Sequence, residues 1–180
     1  MFDLLTYDNE GRPKLTVTVE NKQPTLAIFF PQNAIPPSTD YATRDIRNLT
    51  PVLDFDSSTS ESVYFVGLMP QQYQNNGLKA YLYFTCDATS GDVDWDLSFD
   101  KYTSDLDLDS APVFAHTESS NDNTVSATSG QIITAEFKSI SFSESDDIGA
   151  GDLFILKVSR DIADTASGDA NFIALELRGQ

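Results

Sequence analysis

The chain has 180 residues, 40% of them hydrophobic with 12 Phe and 7 Tyr, enough for one domain with a packed core and too apolar for a disordered chain. Its 28 acidic against 11 basic residues give a net charge of −17. That field repels a phosphate backbone, and the densest basic group is Arg44 with Arg47, so no nucleic acid is expected as a partner.

The apolar runs are too short to span a membrane, so no membrane is expected as a partner either. The first residues, "MFDLLTYDNEGRPK", lack a basic stretch leading into an apolar one, so synthesis in a cytoplasm without a secretory signal is expected. A lone Cys86 permits no intramolecular disulfide and no CxxC metal framework.

Period-two patterning runs through the chain. "KLTVTVE" (14–20) sets Leu15, Val17 and Val19 against polar neighbours. Residues 1–24 read as an N-terminal arm that pairs with a neighbouring molecule or as an edge strand, with 25–180 as one β-sandwich domain. "TLAIFF" (25–30), "PVLDFD" (51–56) and "ESVYFVGLM" (61–69) read as strands. Between the first two, the Pro-rich "FFPQNAIPPSTDYATRDIRN" reads equally as an extended segment lying on another chain, with Arg44 and Arg47 reaching acidic groups there, or as an internal crossover between sheets. "MPQQYQNNG" (69–77) has room for one short helical turn.

"LKAYLYFTC" (78–86) puts Leu82 and Phe84 on one face and Tyr81 and Tyr83 on the other, a strand covered on both sides or an interface. "VDWDLSF" (93–99), "QIITAEFKSISF" (131–142), "LFILKVSR" (153–160) and "NFIALEL" (171–177) complete the strands. "SSNDN" reads as a turn, and the similar "ATSGD" (88–92), "ATSGQ" (127–131) and "TASGD" (165–169) as hairpin loops on one rim. The whole predicts an all-β, jelly-roll-like antiparallel β-sandwich of about 8–10 strands with almost no helix. Val93, Trp95, Leu97, Phe99, Leu82, Phe84, Phe154, Leu156, Val158, Ile173 and Leu175 are expected mainly inside.

Chemistry is sparse. Asp92, Asp94, Asp96 and Asp100, with Ser98, alternate with apolar residues on one strand. Same-strand carboxylates do not face each other across a cleft as a glycosidase requires, and no glycine follows to bend a calcium loop. A solvated strand face is expected for 92–100, and the same holds for Asp105, Asp107 and Asp109, where a loop gives calcium a somewhat better chance. His116, the sole histidine, has no G-x-S-x-G elbow to serve, and one His with one Cys makes no zinc site. No catalytic, cofactor or metal residues are assigned, no cofactor is expected, and the chain reads as non-enzymatic. Tyr73, Tyr81, Tyr83 and Tyr102 offer either a sugar platform or packed contacts.

Three stretches carry a resemblance: "PPSTDYATRDIRNLTPVLDFD" (36–56), "VGLMPQQYQNNGLKAYLYF" (66–84) and "ATSGDVDWDLSFDKY" (88–102), followed by "VSATSGQIITAEF" (125–137) and "GDLFILKVSRD" (151–161). In combination they resemble a family of tailed-bacteriophage virion proteins across about 36–178, with no counterpart for 1–24. The resemblance implies a jelly-roll capsid decoration, or cement, protein. Such a protein would sit as a homotrimer on the capsid exterior of the virion, bound to the major capsid protein at local three-fold positions. The alternative function is a carbohydrate- or receptor-binding sandwich of a tail or fibre, for which a shallow groove lined by Tyr73, Tyr81 and Tyr83 is expected.

Overall fold

A computed structural model of the chain describes residues 4–7, 13–16 and 23–180. β1 (Leu4–Tyr7) and β2 (Pro13–Thr16) pair with each other as a separate two-stranded sheet. The remainder of the strand expected at 14–20, and of the arm expected at 1–24, lies largely outside the described residues. The sandwich is built from β3 (Thr25–Phe29), β4 (Thr43–Arg47), β5 (Thr50–Phe55), β6 (Ser62–Leu68), β7 (Leu78–Cys86), β8 (Asp92–Lys101), β9 (Thr117–Thr124), β10 (Ile133–Ile140), β11 (Leu153–Asp161) and β12 (Ala170–Gly179).

One sheet runs β10-β7-β12-β5-β4, with β3 also paired to β12; the other runs β6-β11-β8-β9. All the ladders are antiparallel. The all-β sandwich is as expected, and no α-helix occurs among the described residues. Residues 69–77 form turns only, and the short helical piece is a 3-10 turn at Pro31–Asn33 instead.

Alternation explains the core. β7 and β8 send every second residue between the sheets, and Leu82, Phe84, Val93, Trp95, Leu97 and Phe99 are all buried there. Trp95 packs edge-on against Phe55 and Phe84, with centroids 5.0 and 5.4 Å away. Each such large apolar side chain contributes about 1.5–3 kcal/mol by leaving water. Ile173 departs from expectation. A bulge between Phe172 and Ala174 shifts the phase, so Phe172 takes an inward place and Ile173 is left half-buried.

Besides β1, two strands of the sandwich were not expected, and both are sheet edges. β4, "TRDIR", is exposed along its whole length, so burial imposes no apolar alternation on it. Asp45 accepts a hydrogen bond from the Ile46 N–H, which blunts that edge. β9, "TESSNDNT", absorbs the stretch expected as a turn; its side chains bond to β8 instead of filling a core.

The Pro-rich segment stays within the chain, but it is not a crossover between sheets: it joins β3 to β4 of the same sheet and on the way docks against the other. Ile35 and Tyr64 exchange backbone hydrogen bonds of 2.8 and 2.9 Å, and the Ser62 N–H donates to Asp40 O, so the segment lies along β6. Arg44 donates to Ala34 O, and Arg47 pairs with Asp87 at 2.9 Å. Both arginines find acceptors within their own chain.

The three similar loops are not hairpins. Each carries the chain from one sheet to the other: β7 to β8, β9 to β10, and β11 to β12. They converge on one rim, where the Thr165 and Ala166 N–H groups donate to Asp92 O, Asp87 N–H to Asp169 O, and Gly130 N–H to Cys86 O. A Cβ on Gly168 would lie 2.3 Å from Ala88 N, so this backbone approach requires glycine. Arg160, fully buried with Asp164, anchors the rim. Its guanidinium donates to both Asp164 oxygens and to the carbonyls of Phe55, Ala166 and Gly168.

Candidate interaction surface

The carboxylate row of β8 faces outward but is not simply wet. Asp92 accepts from the Thr124 hydroxyl at 2.7 Å, Asp94 from the Asp122 N–H at 2.7 Å, and Asp100 from the Val113 N–H at 2.8 Å. Asp96 accepts from the Ser119 hydroxyl, and Ser98 shares a hydrogen bond with Thr117. The row stitches β8 to its polar neighbour β9 and to the loop after Tyr102. Burial pushes the Asp94 carboxyl upward despite the Asp122 N–H that opposes it.

Asp107 accepts from the Asp109 N–H, a local loop turn. Among the described residues, no group of three or more carboxylate, His or Cys side chains is arranged to hold a metal ion. His116 is exposed just before β9, with Glu118 and Glu144 as its charged neighbours.

The aromatic groove expected for a sugar is not formed. Tyr73 is only 4% exposed, and its phenol oxygen accepts the Gly77 N–H inside the β6–β7 connection. Tyr81 and Tyr83 are half-buried on the outer face of the larger sheet. The Arg178 guanidinium lies 4.3 Å over the Tyr81 ring, held there by a 2.7 Å ion pair with Glu176. A ring face so covered does not stack on a sugar. The cleft between β9 and β10, about 320 Å³, is lined by Glu118, Asp122, Glu136 and serines, and its one aromatic, Phe137, is buried.

Exposed apolar side chains also gather at two other places. β6 reads "SVYFVGL", apolar on both faces, and this was the missed signal. Val63 and Phe65 fill the core, while Val66 and Leu68 point outward and are exposed. Leu68 is register partner to exposed Leu153, and Val66 to Ile155. Ile35 and the 102–113 loop border them, with Ile35, Val66, Ile155 and Leu108 around a hollow of about 240 Å³. Contiguous exposed aliphatics of this kind mark contact sites.

The second place is the β4–β5 hairpin. Arg47 and Thr50 form its last rung, so Asn48 and Leu49 make a two-residue turn with φ of 47° and 68°. That geometry favours Asn-Gly, and a left-handed backbone costs a leucine roughly 1–2 kcal/mol. Leu49 is nonetheless 93% exposed.

The class defined by these observations is a jelly-roll β-sandwich. Among solved structures, the chain is similar to the CBM36-1 domain of a multidomain xylanase from the hindgut metagenome of Trinervitermes trinervoides, at 14% identity and TM-score 0.51, covering 86% of this chain and 97% of that one. It is also similar to a family 35 carbohydrate binding module from an environmental isolate, at 15% identity and TM-score 0.50, covering 86% and 94%. At these identities the likeness is one of fold. No protein-family model and no curated protein matches the chain.

Proposed function

We propose that the protein is a non-enzymatic structural component of a phage virion, a capsid decoration protein seated as a homotrimer on the outer surface of the major capsid protein shell. The observation that carries this reading is the outward apolar face of β6 and β11 around Val66, Leu68 and Leu153, which suits a protein partner. The sequence resemblance over about 36–178 supplies the virion, the shell and the number of copies. The covered Tyr81 and buried Tyr73 favour this reading over carbohydrate binding, which the fold likeness alone suggests.

The test is co-sedimentation of the purified protein with shells that lack it. The parent protein binds saturably, and Leu68→Asp, folded by circular dichroism, loses most of that binding. Equal binding by both proteins removes this face from the contact, and specific binding on a glycan array restores the carbohydrate reading.

A further inference from the structure

Two buried side-chain oxygens on the outer face of the larger sheet have no hydrogen-bond partner among the described residues, Asp54 Oδ1 and Asn171 Oδ1. They belong to register partners on neighbouring strands, Asp54 in β5 and Asn171 in β12. Asn171 is fully buried, where an acceptor left without a donor is destabilising.

The other end of each side chain is tied, in opposite directions across the local order β4-β5-β12-β7. Asp54 Oδ2 lies 3.9 Å from the Arg47 guanidinium on β4. Asn171 Nδ2 donates to Asp87 Oδ1 at 3.3 Å, just beyond β7. Turning that amide over would set two acceptors face to face, so the Asp87 carboxylate fixes its orientation. Arg47 pairs in turn with Asp87 at 2.9 and 3.2 Å. Arg47, Asp54, Asn171 and Asp87 thus form a ring with one faulty joint: between Asp54 and Asn171 there are two acceptors and no hydrogen.

We propose that a proton taken from solvent completes this ring, carried on Asp54 Oδ1 and donated to Asn171 Oδ1, and that it works as a latch. While the proton is present, Arg47 stays on Asp87. When it leaves, Arg47 moves to the Asp54 carboxylate.

The charges around Asp54 favour the protonated form. Asp45 on β4, Asp87 after β7, Asp169 before β12 and Glu61 in the β5–β6 loop all face it as negative groups, against Arg47. Burial first, and then Asp169, raise its carboxyl above the ordinary value. Loss of the proton sets a carboxylate against the Asn171 acceptor, and Arg47 is the cation placed to answer it. That movement releases Asp87, so the latch ties the β4–β5 edge hairpin to the rim of loops. The bond is fully formed below the ordinary carboxylate value of about 4 and is lost as pH rises through the raised folded value. None of this depends on the capsid reading.

Carbon-detected NMR of the labelled full-length protein, titrated from about pH 3 to pH 9, tests the latch. Asp54 Cγ inflects above the ordinary carboxylate range. Asn171 Cγ shifts at the same midpoint as its donor is lost, and Asp87 Cγ shows a step there as Arg47 departs. In Asp54→Asn, folded by circular dichroism, an amide N–H replaces the acid as donor, and those steps at Asn171 and Asp87 vanish.

An Asp54 midpoint at or below about 4 overturns the proposal. So does an Asn171 or Asp87 signal that ignores the Asp54 step, or one that keeps its step in Asp54→Asn.

Discussion

Replacing Arg160 by Met tests whether the rim of sheet-to-sheet loops is held by one buried cation. Arg160 and Asp164 are 0% and 1% exposed, joined at 2.8 and 3.0 Å through two guanidinium nitrogens. The remaining donors reach Ala166 O at 2.8 Å, Gly168 O at 2.9 Å and Phe55 O at 3.3 Å. Methionine fills similar apolar volume but leaves the Asp164 carboxylate buried without its counter-charge. Breaking a buried pair from one side costs about 3–5 kcal/mol. For a domain of this size each kcal/mol lowers the melting temperature by about 2–4 °C, so Arg160→Met melts about 6–20 °C below the parent. Urea unfolding at neutral pH supplies the matching free energy. The double variant Arg160→Met/Asp164→Leu removes the stranded charge and recovers a good part of the loss. A single variant within about 1 kcal/mol of the parent, the size of an exposed ion pair, refutes the reasoning.

The same geometry has other consequences. Gly168→Ala forces a Cβ toward Ala88 N and costs about 1–3 kcal/mol by overpacking, measured by urea denaturation; an unaltered midpoint removes the close packing of the loops. Trp95→Ala empties the space between Phe55 and Phe84 and costs about 3–5 kcal/mol in the same assay. Burial, and then Asp169, raise the Asp54 carboxyl. A raised acid binds its proton more tightly when folded, so its ionisation disfavours the fold above that raised value. Asp54→Asn is therefore stabilising at pH 7, and the gain disappears as pH falls below the ordinary carboxylate range of about 4, where Asp54 is protonated folded and unfolded alike. Melting curves from pH 7 to pH 3 check the sign.

Much of the fold was legible because burial writes itself into strands covered on one face. In β7 and β8 every second residue is apolar, and the observed bounds match or extend the expected ones by one or two residues. The edges were not legible: β4 and β9 have polar neighbours on their sides, so nothing constrains them to alternate. Ile173 was misplaced because one extra residue in a bulge inverts the phase of the rest of the strand, and no local residue announces it. The glycine loops were recognised as a set, but arches and hairpins use similar turn residues; only the sheet assignment of the flanking strands separates them.

The contact surface was partly visible. Tyr81 and Tyr83 drew notice as outward aromatics, yet Arg178 and Glu176 from β12 cover Tyr81, and β12 is far from β7 in sequence. The stronger signal was the unbroken apolar run of β6. Leu49 carried none, because Asn-Leu does not read as a hairpin turn until its backbone is seen.

The most direct measurement for the central claim is an image reconstruction of the intact virion into which this sandwich is fitted. The account predicts copies on the outer capsid surface, grouped in threes at local three-fold positions, with the Val66–Leu68–Leu153 face against the shell. Density for the chain at the tail tip, or a capsid exterior with no copies of it, contradicts the account.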